Sequence, residues 1–151
     1  MNVTVRPSNI SDASSVHRLL CIIADIHRNG REDIFTGLQS KYTIEQVKER
    51  LSKQDNGVFV ADISGMVAGY IFCDIITEGD GTTLYIDDLC VDKNARGSGV
   101  GRTLYEYVVD FAKESGCYNV TLNVWACNES AMKFYEKCGL SVQKIGMEKI
   151  L

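Results

Sequence analysis

The stretch that decides the fold is VDKNARGSGVGRTLYEYVVDF, residues 91–111. Three glycines, Gly97, Gly99 and Gly101, stand just before a run of residues with helical spacing. Glycine is unfavourable inside a helix, but at a helix start it lets an anion reach the unpaired backbone N–H groups. The positive end of the helix macrodipole adds to this attraction, so such a turn suits phosphate. The stretch therefore predicts a strand, a phosphate-binding turn and a helix.

Two common phosphate ligands fit this turn poorly. A P-loop ends in Gly-Lys-Ser/Thr, whereas Gly101 is followed by Arg102 and Thr103. The dinucleotide fingerprint needs G-x-G-x-x-G, and the spacing here is G-x-G-x-G. A carboxylate is also missing from the end of the next strand, at Val124 and Trp125. A different nucleotide-binding domain and a glycine-rich turn without any ligand remain as alternatives.

The flanking segments predict a sheet. Before the turn, alternating runs separated by short turns predict an antiparallel meander. After the helix, one further run predicts a strand parallel to the last strand of the meander, because a crossover helix joins the two. The four predicted strands cover residues 57–63, 66–76, 82–91 and 118–125.

The remaining segments complete the predicted domain. An initial strand stops at Pro7, and Asn9 or Ser11 caps the first helix. Thr43 and Gln46 form a capping-box pattern for a second helix near 43–53, and residues 28–37, RNGREDIFTG, predict a loop between the two helices. The segment NESAMKFYEKCGL predicts a last helix, and LSVQKIGMEKIL predicts one or two final strands.

We therefore expect an α/β (α+β) fold in a single domain over residues 1–151. Its mixed sheet has six to seven strands, with a central antiparallel meander and one parallel pair, and about four helices flank it. The net charge of −4 argues against general nucleic-acid binding and favours a cationic small partner. The sequence shows neither an apolar run of about 18 residues nor a signal pattern, so we expect a cytoplasmic protein without a membrane partner. The six cysteines contain no C-x-x-C pair, so no metal site is expected.

With these elements in place, the chain resembles the GNAT superfamily of acyl-CoA-dependent N-acetyltransferases. The family motif R/Q-x-x-G-x-G/A, after a strand and opening a helix, stands here as Arg96-Gly97-Ser98-Gly99-Val100-Gly101. A second family element further along corresponds to NESAMKFYEKCGL. The resemblance is strongest over residues 84–140, and it implies the GNAT fold.

The resemblance implies that acetyl-CoA is the cofactor. Backbone amides of residues 96–101 would hold the pyrophosphate, and the end of the preceding strand would pair with the pantetheine arm in a cleft where two strands splay apart. The residues implied for cofactor binding are Leu89, Cys90, Val91, Arg96, Gly97, Ser98, Gly99, Val100, Gly101, Arg102, Asn128, Ala131, Phe134 and Lys137.

Three residues are candidates for catalysis. By resemblance Tyr135 is the general acid near the leaving sulfur, although it could instead pack as an ordinary helix tyrosine beside Phe134. Asp87 and Asp88 are adjacent on a strand, so we expect them to face opposite sides of the sheet, with only one in the cleft. Either could be the base or contact the amine; the alternative is that one is a solvated surface residue and the other pairs locally. Cys90 has no sequence-evident histidine partner, so we expect no covalent role for it.

Substrate contacts are expected from the segment between the first two helices, with His27, Arg31 and Phe35 as weak candidates. The leading hypothesis is acetyl transfer to a primary amine by direct attack. The acceptor could be a small cationic amine, an amino acid, or a peptide or protein amine. The alternative is a non-catalytic acyl-CoA-binding sensor of the same fold. The final strands could also pair across a homodimer.

Overall fold

The predicted meander forms the centre of one mixed sheet. The computed structural model describes residues 2–35 and 40–151, and within them five strands form the sheet in the order β1-β2-β3-β4-β5. The pair β4–β5 is parallel and all other neighbours are antiparallel, which confirms the expected meander with one parallel pair. The strands are β1 (Thr4–Pro7), β2 (Val58–Ile63), β3 (Met66–Glu78), β4 (Gly81–Val91) and β5 (Asn119–Leu122).

Five α-helices flank this sheet among the described residues. Asn9 caps a short 3-10 turn that leads into α1, and Thr43 and Gln46 form the predicted capping box of α3. Asn128 caps α5, a role that its residue type at the start of this segment predicts. The helices are α1 (Ala13–Gly30), α2 (Glu32–Phe35), α3 (Ile44–Leu51), α4 (Val100–Glu114) and α5 (Glu129–Lys137).

The predicted loop over residues 28–37 is wrong in its first part. α1 continues through Gly30, and α2 follows almost at once. A β-carbon at Gly30 would lie only 2.6 Å from Sγ of Cys127, so the glycine permits close packing rather than ending the helix early. Acidic residues in the first turn of α2 suit the positive helix end. Residues 36–39 lie outside the described residues.

Apolar residues fill both faces of the sheet. On one face α4 packs through Val100, Leu104 and Val108, and Phe111 meets Phe59 with ring centroids 5.2 Å apart. The helical spacing of Val100, Leu104, Val108 and Phe111 in the sequence predicts this shared face. On the other face α1 and α3 cover β2 and β3, and we call this second group the α1–α3 core; its buried members include Val16, Leu19, Leu20, Val47, Leu51, Val60, Tyr70, Phe72 and Cys90.

The expected count of six to seven strands is too high. β5 is limited to Asn119–Leu122, and residues 141–151 form neither helix nor strand. A strand needs a hydrogen-bonded neighbour as well as a favourable pattern, and the tail pairs with no strand of the described sheet. Separately, none of the helices in the described ranges is long and apolar enough to cross a bilayer.

Candidate active site

The parallel pair separates partway along β4. β4 and β5 pair from Thr83 and Asn119 to Ile86 and Leu122, and there the pairing ends. β4 nevertheless continues to Val91, still paired with β3. Within the described residues, the side of β4 that faces β5 is therefore without a strand partner over residues 87–91. We call this opening the β4–β5 gap.

A β-bulge lies at the start of the β4–β5 gap. In the β3–β4 register Cys73 pairs with Ile86, but the next pair is Phe72 with Asp88, so Asp87 is an extra residue. A bulge breaks the alternation of side chains along a strand. The rule that successive residues of a strand face opposite sides of the sheet therefore fails at Asp87.

Both aspartates face the α1–α3 core as a result. Asp87 accepts a hydrogen bond from the Tyr42 hydroxyl at 2.5 Å and forms an ion pair with Lys41 at 2.9 Å. Asp88 accepts a hydrogen bond from the Tyr70 hydroxyl at 2.8 Å. Tyr70 belongs to the α1–α3 core and Tyr42 packs against it. The prediction that the two carboxylates face opposite sides is wrong, because the bulge turns both to one side.

The two carboxylates differ in their surroundings. Burial raises the pKa of Asp88 to about 6, and the negative charge of Asp87 adds to the rise, whereas the hydrogen bond from Tyr70 and the charge of Lys41 oppose it. Asp87 has an ion-pair partner, Lys41, in addition to its hydrogen bond from Tyr42. Asp88 is thus the carboxylate whose proton affinity suits proton transfer near neutral pH.

Tyr135 lies on α5 within electrostatic reach of Asp88. Burial, followed by the negative charge of Asp88, raises the pKa of Tyr135 well above its ordinary value. Its ring meets that of Phe134 edge-on, with centroids 5.0 Å apart. The phenol therefore stays protonated at neutral pH and can act as a proton donor.

The three glycines have two distinct tasks. Gly97 and Gly99 have φ of +82° and +83°, and a β-carbon at either would meet nothing within 4 Å. They shape a left-handed turn that leaves the first turn of α4 open to a ligand. Gly101 is different, because its β-carbon would lie 3.3 Å from the ring of Phe134 and 3.4 Å from Cγ2 of Val91. It permits α5 to pack against the start of α4.

Several side chains around this turn bind protein groups. The Ser98 hydroxyl donates to the Ala95 carbonyl, and Nε of Arg96 donates to the Val91 carbonyl at 3.3 Å. Arg102 pairs with Glu106 at 2.9 Å. The first helical bond of α4 runs from the Thr103 N–H to the Gly99 carbonyl at 3.0 Å. The backbone N–H groups just before Thr103 have no earlier helical carbonyl to bind, so they are the groups most suited to an anion.

The side chain of Cys90 points into the α1–α3 core, whereas its main chain borders the β4–β5 gap. The thiol is buried in the α1–α3 core, with Sγ 3.6 Å from the Leu19 carbonyl, and burial raises its pKa to about 12. A neutral, buried thiol is a poor nucleophile, in keeping with the expectation of no covalent role. The backbone of Cys90 still runs along the β4–β5 gap.

Two of the three predicted substrate residues come together. His27 stacks on Phe35 with centroids 5.4 Å apart, and Phe35 meets Trp125 edge-on at 5.2 Å. Burial and the positive charge of Lys41 lower the pKa of His27. We call His27, Phe35 and Trp125 the aromatic wall. Arg31 is held elsewhere, in ion pairs with Asp33 at 2.9 Å and Glu148 at 2.7 Å.

Sequence reasoning missed Lys41, Tyr70 and Trp125 as residues of this site, and it placed Tyr42 only in the segment expected to contact the substrate, without its bond to Asp87. Tyr42 and Lys41 reach Asp87 from a segment far away in the sequence, so no local spacing reveals them. Tyr70 could be read as a core strand residue, but its bond to Asp88 depends on the bulge. Among residues 2–35 and 40–151, no group of three or more His, Cys, Asp or Glu side chains is arranged to hold a metal ion.

Known proteins are similar to this chain in sequence and in fold. Residues 24–140 match the family described as "Acetyltransferase (GNAT) family". Glucosamine 6-phosphate N-acetyltransferase of Arabidopsis thaliana is 40% identical over 65 residues, which are 43% of this chain and only 42% of that protein. Glucosamine 6-phosphate N-acetyltransferase 1 of Dictyostelium discoideum is 30% identical over 110 residues, 66% of this chain and 68% of that protein. The crystal structure of the tetramutant of BH1408 from Bacillus halodurans superposes with a TM-score of 0.85 at 27% identity, covering 98% of this chain and 99% of that one.

Proposed function

The chain belongs to the GNAT acetyltransferase family, and we propose that it moves an acetyl group from acetyl-CoA to a primary amine by direct attack of the amine. The β4–β5 gap carries the proposal. Among the described residues, it leaves the side of β4 that faces β5 without a strand partner over residues 87–91, and β4 leads from there to the open turn before α4. A thioester bound there would lie between the carboxylate of Asp88 and the phenol of Tyr135.

Backbone groups do most of the cofactor binding in this proposal. The N–H groups from Arg96 to Gly101 bind the pyrophosphate at the start of α4, where the helix dipole favours an anion. Leu89 to Val91 pair with the amide-containing pantetheine arm as a neighbouring strand would. Phe134, packed on Gly101, forms a side of the cofactor site together with Asn128 and Ala131. In this proposal Arg102 and Lys137 contact the phosphates on the adenosine side of the cofactor.

The proposed chemistry needs one base and one acid. The bound acetyl thioester supplies an electrophilic carbonyl; a C–N bond forms and the C–S bond breaks. Asp88 accepts the proton that the amine loses, directly or through water, and Tyr135 donates a proton to the departing sulfur. A backbone N–H near Cys90 or Val91 stabilises the charge that develops on the carbonyl oxygen. Positioning by the β4–β5 gap replaces a covalent enzyme intermediate.

The acceptor side favours a small amine with a positive charge. Two carboxylates lie on one side of β4, and the chain carries a net charge of −4. The aromatic wall can pack against the body of an acceptor or against a cation. Relatives named for glucosamine 6-phosphate make an amino sugar phosphate one acceptor to test, beside polyamines, amino acids and peptide amines.

A thiol-release assay with acetyl-CoA and this set of amines tests the proposal. We expect free coenzyme A to appear only when an acceptor amine is present, with an equal amount of acetylated amine by mass spectrometry. Stabilisation by acetyl-CoA in a thermal melt, without turnover on any amine, would instead favour the acyl-CoA-binding sensor.

Replacing Tyr135 by Phe removes the proposed acid and little else. We expect Tyr135→Phe to lower kcat by about 10²-fold or more, the range of general acid catalysis, while KM for acetyl-CoA changes by less than about twofold. Tyr105→Phe, which removes a hydroxyl from a tyrosine on the neighbouring helix α4, is the matched control and should keep its kcat. Equal turnover in Tyr135→Phe and the wild type would remove Tyr135 from the mechanism.

The raised pKa of Asp88 predicts the acid limb of the pH profile. Asp88 acts as a base only when ionised, so kcat/KM should fall as pH drops through about 6. Asp88→Asn should lose most of the activity, and the kcat/KM that remains should no longer fall near pH 6. It should also keep or raise its melting temperature at pH 8, because burial disfavours the charged carboxylate.

Tyr70→Phe sharpens this test. The Tyr70 hydroxyl lowers the pKa of Asp88, so its removal should move the midpoint of the acid limb to higher pH. Tyr42→Phe removes the equivalent bond to Asp87 and should leave the Tyr70–Asp88 bond intact. It should therefore move the midpoint of the acid limb by less than Tyr70→Phe does. Using one acceptor throughout cancels that acceptor's own titration. A midpoint that stays fixed or moves down in Tyr70→Phe would contradict the assignment of Asp88 as base.

A further inference from the structure

Lys41 carries a primary amine to the start of the β4–β5 gap. Its Nζ lies 2.9 Å from Oδ1 of Asp87 and 3.2 Å from the Asp87 carbonyl oxygen. That carbonyl belongs to the peptide bond between Asp87 and Asp88, the residues at which β4 loses its β5 partner. The amine of Lys41 therefore lies beside the carboxylate that we propose as the base.

The groups around this amine are those that suit an acceptor amine. The ring of Tyr42 has its centroid 5.8 Å from Nζ of Lys41, which is a cation–π distance. Burial and then the positive charge of Lys41 lower the pKa of His27. Burial raises the pKa of Asp88, and the charge of Lys41 opposes that rise. The ammonium of Lys41 is thus close to both the aromatic wall and the proposed base.

The ion pair with Asp87 leaves the Lys41 side chain able to move. The Lys41 side chain is 47% exposed, whereas that of Asp87 is 15% exposed. A lysine holds its ammonium on a flexible four-carbon stem, and an ion pair that solvent can reach adds little stability. The amine can therefore leave Asp87 and turn towards a group bound in the β4–β5 gap.

We propose that Lys41 is a site of self-acetylation, at which acetyl-CoA bound in the β4–β5 gap passes its acetyl group to Nζ of the same chain. This inference rests on the proposed function, because it uses the same bound thioester, base and acid. Nζ gives a proton to Asp88, directly or through water, and its lone pair attacks the thioester carbonyl carbon. A C–N bond forms, the C–S bond breaks, and Tyr135 gives a proton to the sulfur.

The products are Nε-acetyl-Lys41 and coenzyme A. Asp88 then releases its proton to solvent and Tyr135 regains one, so the site returns to its starting state. The new amide is neutral, so the ion pair with Asp87 and the cation–π contact with Tyr42 are both lost. Before acetylation, Lys41 and a free acceptor amine compete for the same acetyl group.

Peptide mass spectrometry of the wild-type protein tests this inference. With acetyl-CoA and no acceptor, Lys41 should be acetylated about 10²-fold faster than Lys48 or Lys53, because a bound thioester with a positioned base and acid adds at least this factor. Lys48 and Lys53 are matched controls, because both are exposed lysines of the same part of the chain. Excess coenzyme A fills the cofactor site without an acetyl group, so it should slow acetylation at Lys41 and leave Lys48 unchanged. The rate constant at Lys41 should not depend on protein concentration.

Thiol release with a free amine, measured on the same sample, reports the proposed function separately. Turnover of the free amine with Lys41 acetylated no faster than Lys48 would overturn self-acetylation and leave the proposed function standing. Acetylation of Lys41 that excess coenzyme A does not slow, or whose rate constant rises with protein concentration, would also overturn it. Neither turnover nor acetylation of Lys41 would overturn both.

Discussion

The β-bulge at Asp87 is the constraint on which the site depends. One extra residue in β4, opposite the step from Phe72 to Cys73, turns two consecutive carboxylates towards the α1–α3 core. The same position marks the end of the β4–β5 pairing at Ile86 and Leu122. The chain thus gains, within three residues, a gap in its sheet and a partly buried carboxylate with a pKa of about 6. An unbulged strand would place one of the two aspartates on the α4 face.

The start of α4 is the second half of the arrangement. Gly97 and Gly99 take a left-handed conformation that exposes the helix start, and Gly101 lets Phe134 approach it. Because Tyr135 follows Phe134, the packing at Gly101 also fixes where the phenol lies. The contact between Gly101 and Phe134 therefore fixes the position of Tyr135, the proposed acid, relative to the phosphate-binding turn.

Local sequence signals predicted the parts of this molecule that local physics determines. The meander, the crossover helix, the Thr43–Gln46 capping box and the Asn128 cap all follow from spacing and hydrogen-bonding residue types. The faces of Asp87 and Asp88 did not, because a bulge is set by the register with β3 and leaves no mark in β4 itself. The predictions of a loop at residues 28–30 and of strands in residues 141–151 failed for a similar reason, because both depend on distant parts of the chain. Gly30 indicates a helix stop in the sequence, but in the structure it lies against Cys127, and residues 141–151 have no strand to pair with in the described sheet.

A crystal structure of the protein with coenzyme A tests the central claim most directly, namely that the gap beside the bulge is the cofactor site. We predict the pyrophosphate on the N–H groups of residues 97–101, main-chain hydrogen bonds from the pantetheine arm to residues 89–91, and the sulfur between Asp88 and Tyr135. Coenzyme A bound away from the β4–β5 gap, or a gap closed by continued β4–β5 pairing past Leu122, would contradict the account.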